Sequence, residues 1–413
     1  MVTPLGHDPH EVLRRIEAGD SAAAPPAGFD VSPFACPVCA EVPDFRPQDY
    51  VAEPKTIRLM NRDAQLAVAA ARLALQDARL TVGAEYRPED IALFGATGLA
   101  GLPLREVTTL IRNSVTPDGR FDLERFGRRG LRSISPLLSF KVLGNMPLCF
   151  VSIGENIQGP NCIYTPWEGQ GAQAIEAGWR AIRSGDARCA VVGGCDVKTH
   201  ELAFISLEQQ GLFRSWKETG KGVVPAEGAV FLVLEEEASA AARGARSYAR
   251  LAECVFGTRG EGSSLSAAVG RLIERWVPPH PGPLPQGEGE SSSSPEPPQR
   301  SGSFPTPYAV PPLLGGEGRG EGEQDQRMSL RALVSAADDV LTFRDDEAQA
   351  VASAGVAVES MLCPKMHVGN LFAAAAALQV ALGAVLAERL GGAVLAHCFG
   401  HGSDPAAFLL ETS

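Results

Sequence analysis

The sequence predicts an α/β protein with a sheet covered on both faces, and three observations carry that prediction. Short apolar strands alternate with amphipathic helices, those strands are apolar throughout, and one long alanine-rich segment, Leu371–Ala387, is apolar all round. A strand with one wet face would alternate apolar and polar residues, whereas one buried on both faces reads as a continuous apolar run. With 413 residues, 45% hydrophobic and 21% charged, the chain is long enough for a large core or two domains.

The elements follow in order. Arg62–Ala78 carries Leu66, Ala69, Ala70 and Leu73 at helical spacing and predicts an amphipathic helix. Asp90–Gly95 reads as a short strand ending in glycine, and the turn Gly95-Ala96-Thr97-Gly98-Leu99-Ala100-Gly101 imitates a dinucleotide-binding glycine loop. A short-chain dehydrogenase would add Tyr-x-x-x-Lys, and no tyrosine here has a lysine four residues later. Gly159–Gly171 leads into a helical run Ala172–Arg183, and strands follow at Cys189–Gly194 and Gly228–Glu235. Pro278–Gln326 is rich in Pro, Gly, Ser and Glu, too poor in apolar area to offset its chain entropy, and is expected to be a disordered insertion. Beyond it come a strand at Leu330–Ser335, helices around Asp346–Ala354 and Leu371–Arg389, and a closing strand Ala393–His397. The expected organisation is therefore an N-terminal half 1–235, a C-terminal half 236–277 with 327–413, and the insertion 278–326.

Composition excludes several classes. A net charge of −12 and a pI of about 5.2 argue against nucleic-acid binding, which needs basic surface. Nine cysteines in no regular framework point to a reducing, cytoplasmic setting. Cys36-Pro37-Val38-Cys39 has the spacing of half a zinc site, but no second pair completes four ligands. The start Met1–Gly6 lacks the basic and apolar regions of a signal peptide. Leu371–Ala387, interrupted by Gln379, is short for a membrane span and reads as a buried core helix. Arg128, Arg129, Arg132 and Lys141 form a local basic cluster that suits either a solvated face or an acidic partner carrying a phosphate.

Several motifs fall in a telling order. Val2-Thr3-Pro4-Leu5-Gly6, Glu41-Val42-Pro43-Asp44-Phe45, Asn145-Met146 with Val151-Ser152-Ile153, Gly159-Pro160-Asn161, Ser184-Gly185-Asp186 through Gly193-Gly194, Pro225–Ala229 and Phe399-Gly400-His401-Gly402 together resemble the signature of β-ketoacyl-ACP synthases. The resemblance implies a thiolase-like five-layered α/β/α/β/α sandwich of two similar halves. It also implies a strand ahead of Val2, so either the start is truncated or one edge of the first sheet is missing. By the same resemblance Glu168 stands at the nucleophilic cysteine, Ala337 at the first catalytic histidine and Asn370 at the second, while Lys365 keeps the family lysine. A cysteine at a helix N-terminus favours its thiolate; a carboxylate there cannot form the acyl-thioester. Losing one member of a catalytic unit can cost about 10⁴–10⁶ in rate, and here three are replaced.

The implied function is that of a chain-length factor: a non-condensing homologue paired with an active ketosynthase in polyketide, aryl polyene or specialised fatty acid synthesis. No cofactor of its own is expected, the phosphopantetheine arm being supplied by an acyl carrier protein, which Arg128, Arg129, Arg132 and Lys141 would contact. The resemblance puts Trp167, Phe399 and His401 around the pocket, and the strand Cys162–Thr165 at the dimer interface. A rival expectation makes Glu168 a general base beside His401 or His367 in a decarboxylase or acyltransferase. A blander one buries Glu168 against helix N–H groups and Lys365, and packs Cys162 as a small side chain.

Overall fold

The computed structural model describes residues 1–99, 104–257, 329–338, 347, 350–351, 356–400 and 405–413. Its strands are β1 Ile91–Thr97, β2 Asn161–Tyr164, β3 Cys189–Val197, β4 Glu227–Glu235, β5 Arg250–Phe256, β6 Ser329–Leu330, β7 Ala332–Val334, β8 Ala357–Val358, β9 Met361–Leu362, β10 Val394–Cys398 and β11 Ala406–Glu411. Both β1 and β3 are buried at every residue, which is why their sequences are apolar up to the polar Thr97 and Asp196 near their ends.

Besides a two-stranded pairing of β6 with β8, the described strands form two larger sheets that repeat one another. The first runs β2-β1-β3-β4 and the second β9-β7-β10-β11-β5. In each, two parallel pairings are followed by an antiparallel one: β2–β1, β1–β3 and β3–β4 in the first, β9–β7, β7–β10 and β10–β11 in the second. The second sheet goes one strand further, with β5 antiparallel to β11. At the matching edge of β4, the described residues offer a single antiparallel bridge, Val2 to Ala229.

Helices Gly169–Ser184 and Ala375–Leu390 pack on each other between the sheets, the first against β1 and β3 and the second against β7, β10 and β11. Helices Arg62–Asp77 and Met146–Glu155 cover the outer face of the first sheet. These are four of the five expected layers. Of the helix expected at Asp346–Ala354, only Glu347, Ala350 and Val351 are among the described residues; the insertion 278–326 lies outside them. Phe372–Leu390 is long and apolar enough to cross a membrane (mean hydropathy 1.5), yet 78% of its apolar window is buried inside the protein. Its alanines let the two central helices and both sheets approach closely. The expected strand Leu330–Ser335 is two short pieces, β6 and β7, pairing with different partners. Strands β5 and β11 were not foreseen.

Candidate functional site

The carboxyl end of β2 leads through Thr165-Pro166-Trp167 to Glu168, the residue before helix Gly169–Ser184. Glu168 already has helical dihedrals (φ −58°, ψ −41°) and makes no capping bond. A capping side chain needs an extended backbone at this position to fold back on the first turn. The expectation that helix N–H groups hold the carboxylate is therefore corrected: the side chain turns away from its own helix. It enters the core, 3% exposed.

Two donors meet it there. Lys365 Nζ donates to Glu168 Oε2 at 2.5 Å, and Asn370 Nδ2 donates to Oε1 at 2.9 Å. Lys365 Nζ also donates to the Phe399 carbonyl at 2.9 Å. Lys365 and Asn370 are as buried as their partner, 4% and 1% exposed. Asn370 is fixed in turn, its Oδ1 accepting from Phe372 N–H at 2.8 Å and its backbone bonding to Val224 and Ala226. Phe372 adopts φ +45°, a left-handed conformation that costs a bulky residue of order 1–3 kcal/mol, and its fully buried ring holds it there. Gly400 closes the roof: a Cβ on it would lie 1.9 Å from Glu168 Oε2, so only glycine admits the carboxylate. A charge pair is tolerated in a dry interior when geometry is tight and the remaining hydrogen bonds are made, and both conditions hold.

Three of the four expected family positions thus converge. The fourth, Ala337, is buried and presents a methyl group; its N–H donates to Ser335 Oγ at 2.9 Å. Behind it lies a second buried network that sequence reading missed. Ser335 Oγ donates to Glu347 Oε2, while Glu347 Oε1 meets His397 Nδ1 at 2.7 Å. The other ring nitrogen, Nε2, is buried without a partner among the described residues. Ser335 follows β7 and His397 lies on β10, and their meeting at Glu347 is a contact that no local motif announces.

Of the remaining expected residues, Phe399 and Trp167 border the Glu168 site and the others lie apart from it or outside the described residues. Phe399 is buried, and Trp167 is half-buried with its N–H donating to Gln170. His401 lies outside the described residues, and His367 is engaged elsewhere, its Nδ1 against the Asp20 carbonyl at 2.8 Å. Cys162, expected to be packed, is exposed, because β2 is an edge strand paired, among the described residues, with β1 alone. Cys36 and Cys39 are free thiols pushed up to about 12 by burial, set beside the buried Phe204, Phe213 and Phe372. Arg128, Arg129 and Arg132 are exposed, and Arg128 pairs with Glu124 at 3.2 Å. Lys141 is half-buried and faces a different place, a cleft of about 760 Å³.

That cleft lies at the end of β3 and the start of β4, and sequence reading had not singled it out. Arg62 donates to both oxygens of Glu227 (2.6 and 3.2 Å), which also accepts from Val42 N–H and Thr199. Lys198 pairs with the fully buried Asp196. Asp63 is 5% exposed, and its side-chain partner among the described residues is an amide, Asn61 Nδ2 at 3.0 Å. Burial, and then the nearby Asp196 charge, push its carboxyl up to about 7. His200 is held below its usual value, first by burial and then by Lys198.

A family model described as "Beta-ketoacyl synthase, N-terminal domain" matches residues 1–240. Among curated proteins, the 3-oxoacyl-[acyl-carrier-protein] synthase 2 of Synechocystis sp. is 26% identical over 262 residues, covering 60% of this chain and 59% of that protein. The enzyme of the same description from Staphylococcus aureus is 25% identical over 276 residues, 64% of each chain. The chain thus spans about three fifths of the length of the curated relatives it matches. Among solved structures, the ishigamide ketosynthase/chain length factor superposes with a TM-score of 0.71 at 19% identity, covering 100% of this chain and 97% of that one. A type II polyketide ketosynthase, solved with its acyl-carrier protein and bound to the hexaketide, gives 0.69 at 13% identity and the same coverage. A β-ketoacyl synthase from Burkholderia phymatum gives 0.68 at 17%, again with 100% and 97% covered. At these identities the structural matches establish the fold: a thiolase-like α/β sandwich.

Proposed function

We propose, from the premise that this chain belongs to the β-ketoacyl synthase family, that it is a non-condensing member serving as the chain-length-factor-like partner of an active ketosynthase. The observation that carries the reading is the occupied nucleophile position: Glu168 is locked by Lys365 and Asn370 under Gly400. A condensing enzyme needs a nucleophile that accepts an acyl group and donors aimed at the developing oxyanion. Here the candidate position holds a carboxylate with both oxygens engaged, and Ala337 supplies no side-chain donor. A general-base role for Glu168 would first have to displace two buried partners.

The surface supports a partner. Large apolar side chains are exposed along one stretch of sequence, including Leu99, Ile111, Phe121, Leu123, Leu143 and Ile153. The edge strand β2 leaves one row of backbone groups unpaired by any described strand, which invites pairing with another chain. Two of the solved relatives carry such associations in their descriptions, one as a ketosynthase/chain length factor and one as a ketosynthase with its acyl-carrier protein. The exposed Arg128, Arg129 and Arg132 fit an acidic carrier protein by charge. The products would be polyketides, aryl polyenes or specialised fatty acids.

Co-expression with the intact ketosynthase of the same system tests this. The two chains should co-purify as a 1:1 complex, and Glu168→Gln, compared at equal amounts of folded complex, should leave the length of the product unchanged. Failure to form the complex, together with unaltered products when this chain is omitted, overturns the reading.

A further inference from the structure

We propose that the cleft beside Asp63 is a binding site for an organic ammonium ion, with the Asp63 carboxylate as its counter-charge. The inference is independent of the partner reading above. The cleft holds about 760 Å³, within the range of small-molecule pockets. It opens where β3 ends and β4 begins, the strand-end location at which α/β sheets place ligands.

Its walls are apolar at Val42, Pro43, Met60 and Val197, and its charges do not balance. Of the carboxylates in and behind the wall, Glu227 is matched by Arg62 and Asp196 by Lys198. Glu41 is half-buried and accepts a backbone N–H from Ala27 at 3.2 Å. Asp63 is in no ion pair among the described residues and is left with a neutral amide and a backbone N–H, although it is almost fully buried. Burying a carboxylate without a cation costs free energy unless something else supplies the charge. An ammonium group entering the cleft does so, donating to Asp63 while its alkyl part covers the apolar wall.

One residue argues the other way. Lys141 also lines the cleft, and its carbonyl accepts from the same Asn61 amide at 3.0 Å. Among the described residues its ammonium is in no ion pair with Asp63, and the charges that act on Asp63 come from Asp196, Lys198 and Glu227. Lys141 is therefore a competitor for the ligand. Its removal should strengthen ammonium binding.

The test is calorimetric titration of the full chain at pH 8 with n-butylammonium, n-butanol and n-butyrate. Butylammonium should bind at least about tenfold more tightly than butanol or butyrate. Asp63→Asn should lose about tenfold in butylammonium affinity, and Lys141→Met should gain. Equal binding of the alcohol, tighter binding of butyrate, or an Asp63→Asn protein that binds butylammonium as before would overturn the assignment. The comparison of the three probes on the unaltered chain stands even if a variant fails to fold.

Discussion

Glu168→Met is expected to lower the unfolding free energy by about 3–5 kcal/mol, and Lys365→Met by a similar amount. Each substitution strands the partner's charge in a site where both side chains are buried, at 3% and 4% exposure. The penalty is mostly that of the orphan, so the two losses should not add. Replacing both residues by apolar groups of matching volume removes the orphan, and the double variant Glu168→Met with Lys365→Met should recover most of the stability. Urea denaturation of the four proteins gives the coupling directly. Strictly additive costs would mean that the 2.5 Å contact contributes nothing. The same reasoning says why restoring the thiol is insufficient: Glu168→Cys leaves the Lys365 ammonium buried without a counter-charge and supplies no imidazole at Ala337 or Asn370.

Asp63→Asn should act in the opposite direction. The Asp63 carboxyl is pushed from 3.8 to about 7, with burial as the largest cause. The folded state therefore holds the proton more tightly than the unfolded state, and folding is favoured most where the group is protonated in both, below about pH 4. As pH rises from there through 7 the unfolded chain ionises freely while the folded one resists, and stability falls. Each tenfold change in the proton equilibrium is worth about 1.4 kcal/mol, so the loss is on the order of 4 kcal/mol above about pH 8. Asp63→Asn keeps the shape and the contact with Asn61 but cannot ionise, so its stability should stay level over that range and exceed the wild type at pH 8. Thermal melts at pH 5 and pH 8 decide it: parallel pH profiles for the two proteins would show that Asp63 titrates normally. A stabilising loss of charge at a cleft wall is what a binding group retained at a cost to stability should show.

The fold was largely legible because its strands announce themselves. Both β1 and β3 are covered on both faces, so their residues are apolar almost throughout, and helix Arg62–Asp77 shows its buried stripe at helical spacing. Strands β5 and β11 were missed because Arg250–Phe256 mixes charged and apolar residues and Ala406–Glu411 is a short run near the end of the sequence. At the site, motif order located Glu168, Lys365 and Asn370. It read Asn370 only as a lost histidine, whereas the amide is a donor that completes the carboxylate's shell. The helix-cap expectation failed on backbone conformation, since Glu168 is already helical. The Ser335–Glu347–His397 network joins partners 12 and 50 positions apart, and Asp63 looks in sequence like any polar residue in a helix's first turn. Such contacts are set by tertiary packing, which local periodicity does not encode.

The most direct test of the central claim follows the acyl group itself. The purified chain, alone and then with its ketosynthase, is incubated with carrier protein bearing an isotopically labelled acyl group, and each chain is weighed intact by mass spectrometry. The label should appear as a thioester on the ketosynthase only, leaving this chain at its unmodified mass in both experiments. A labelled thioester on this chain in the absence of the ketosynthase, followed by its extension, would contradict the account.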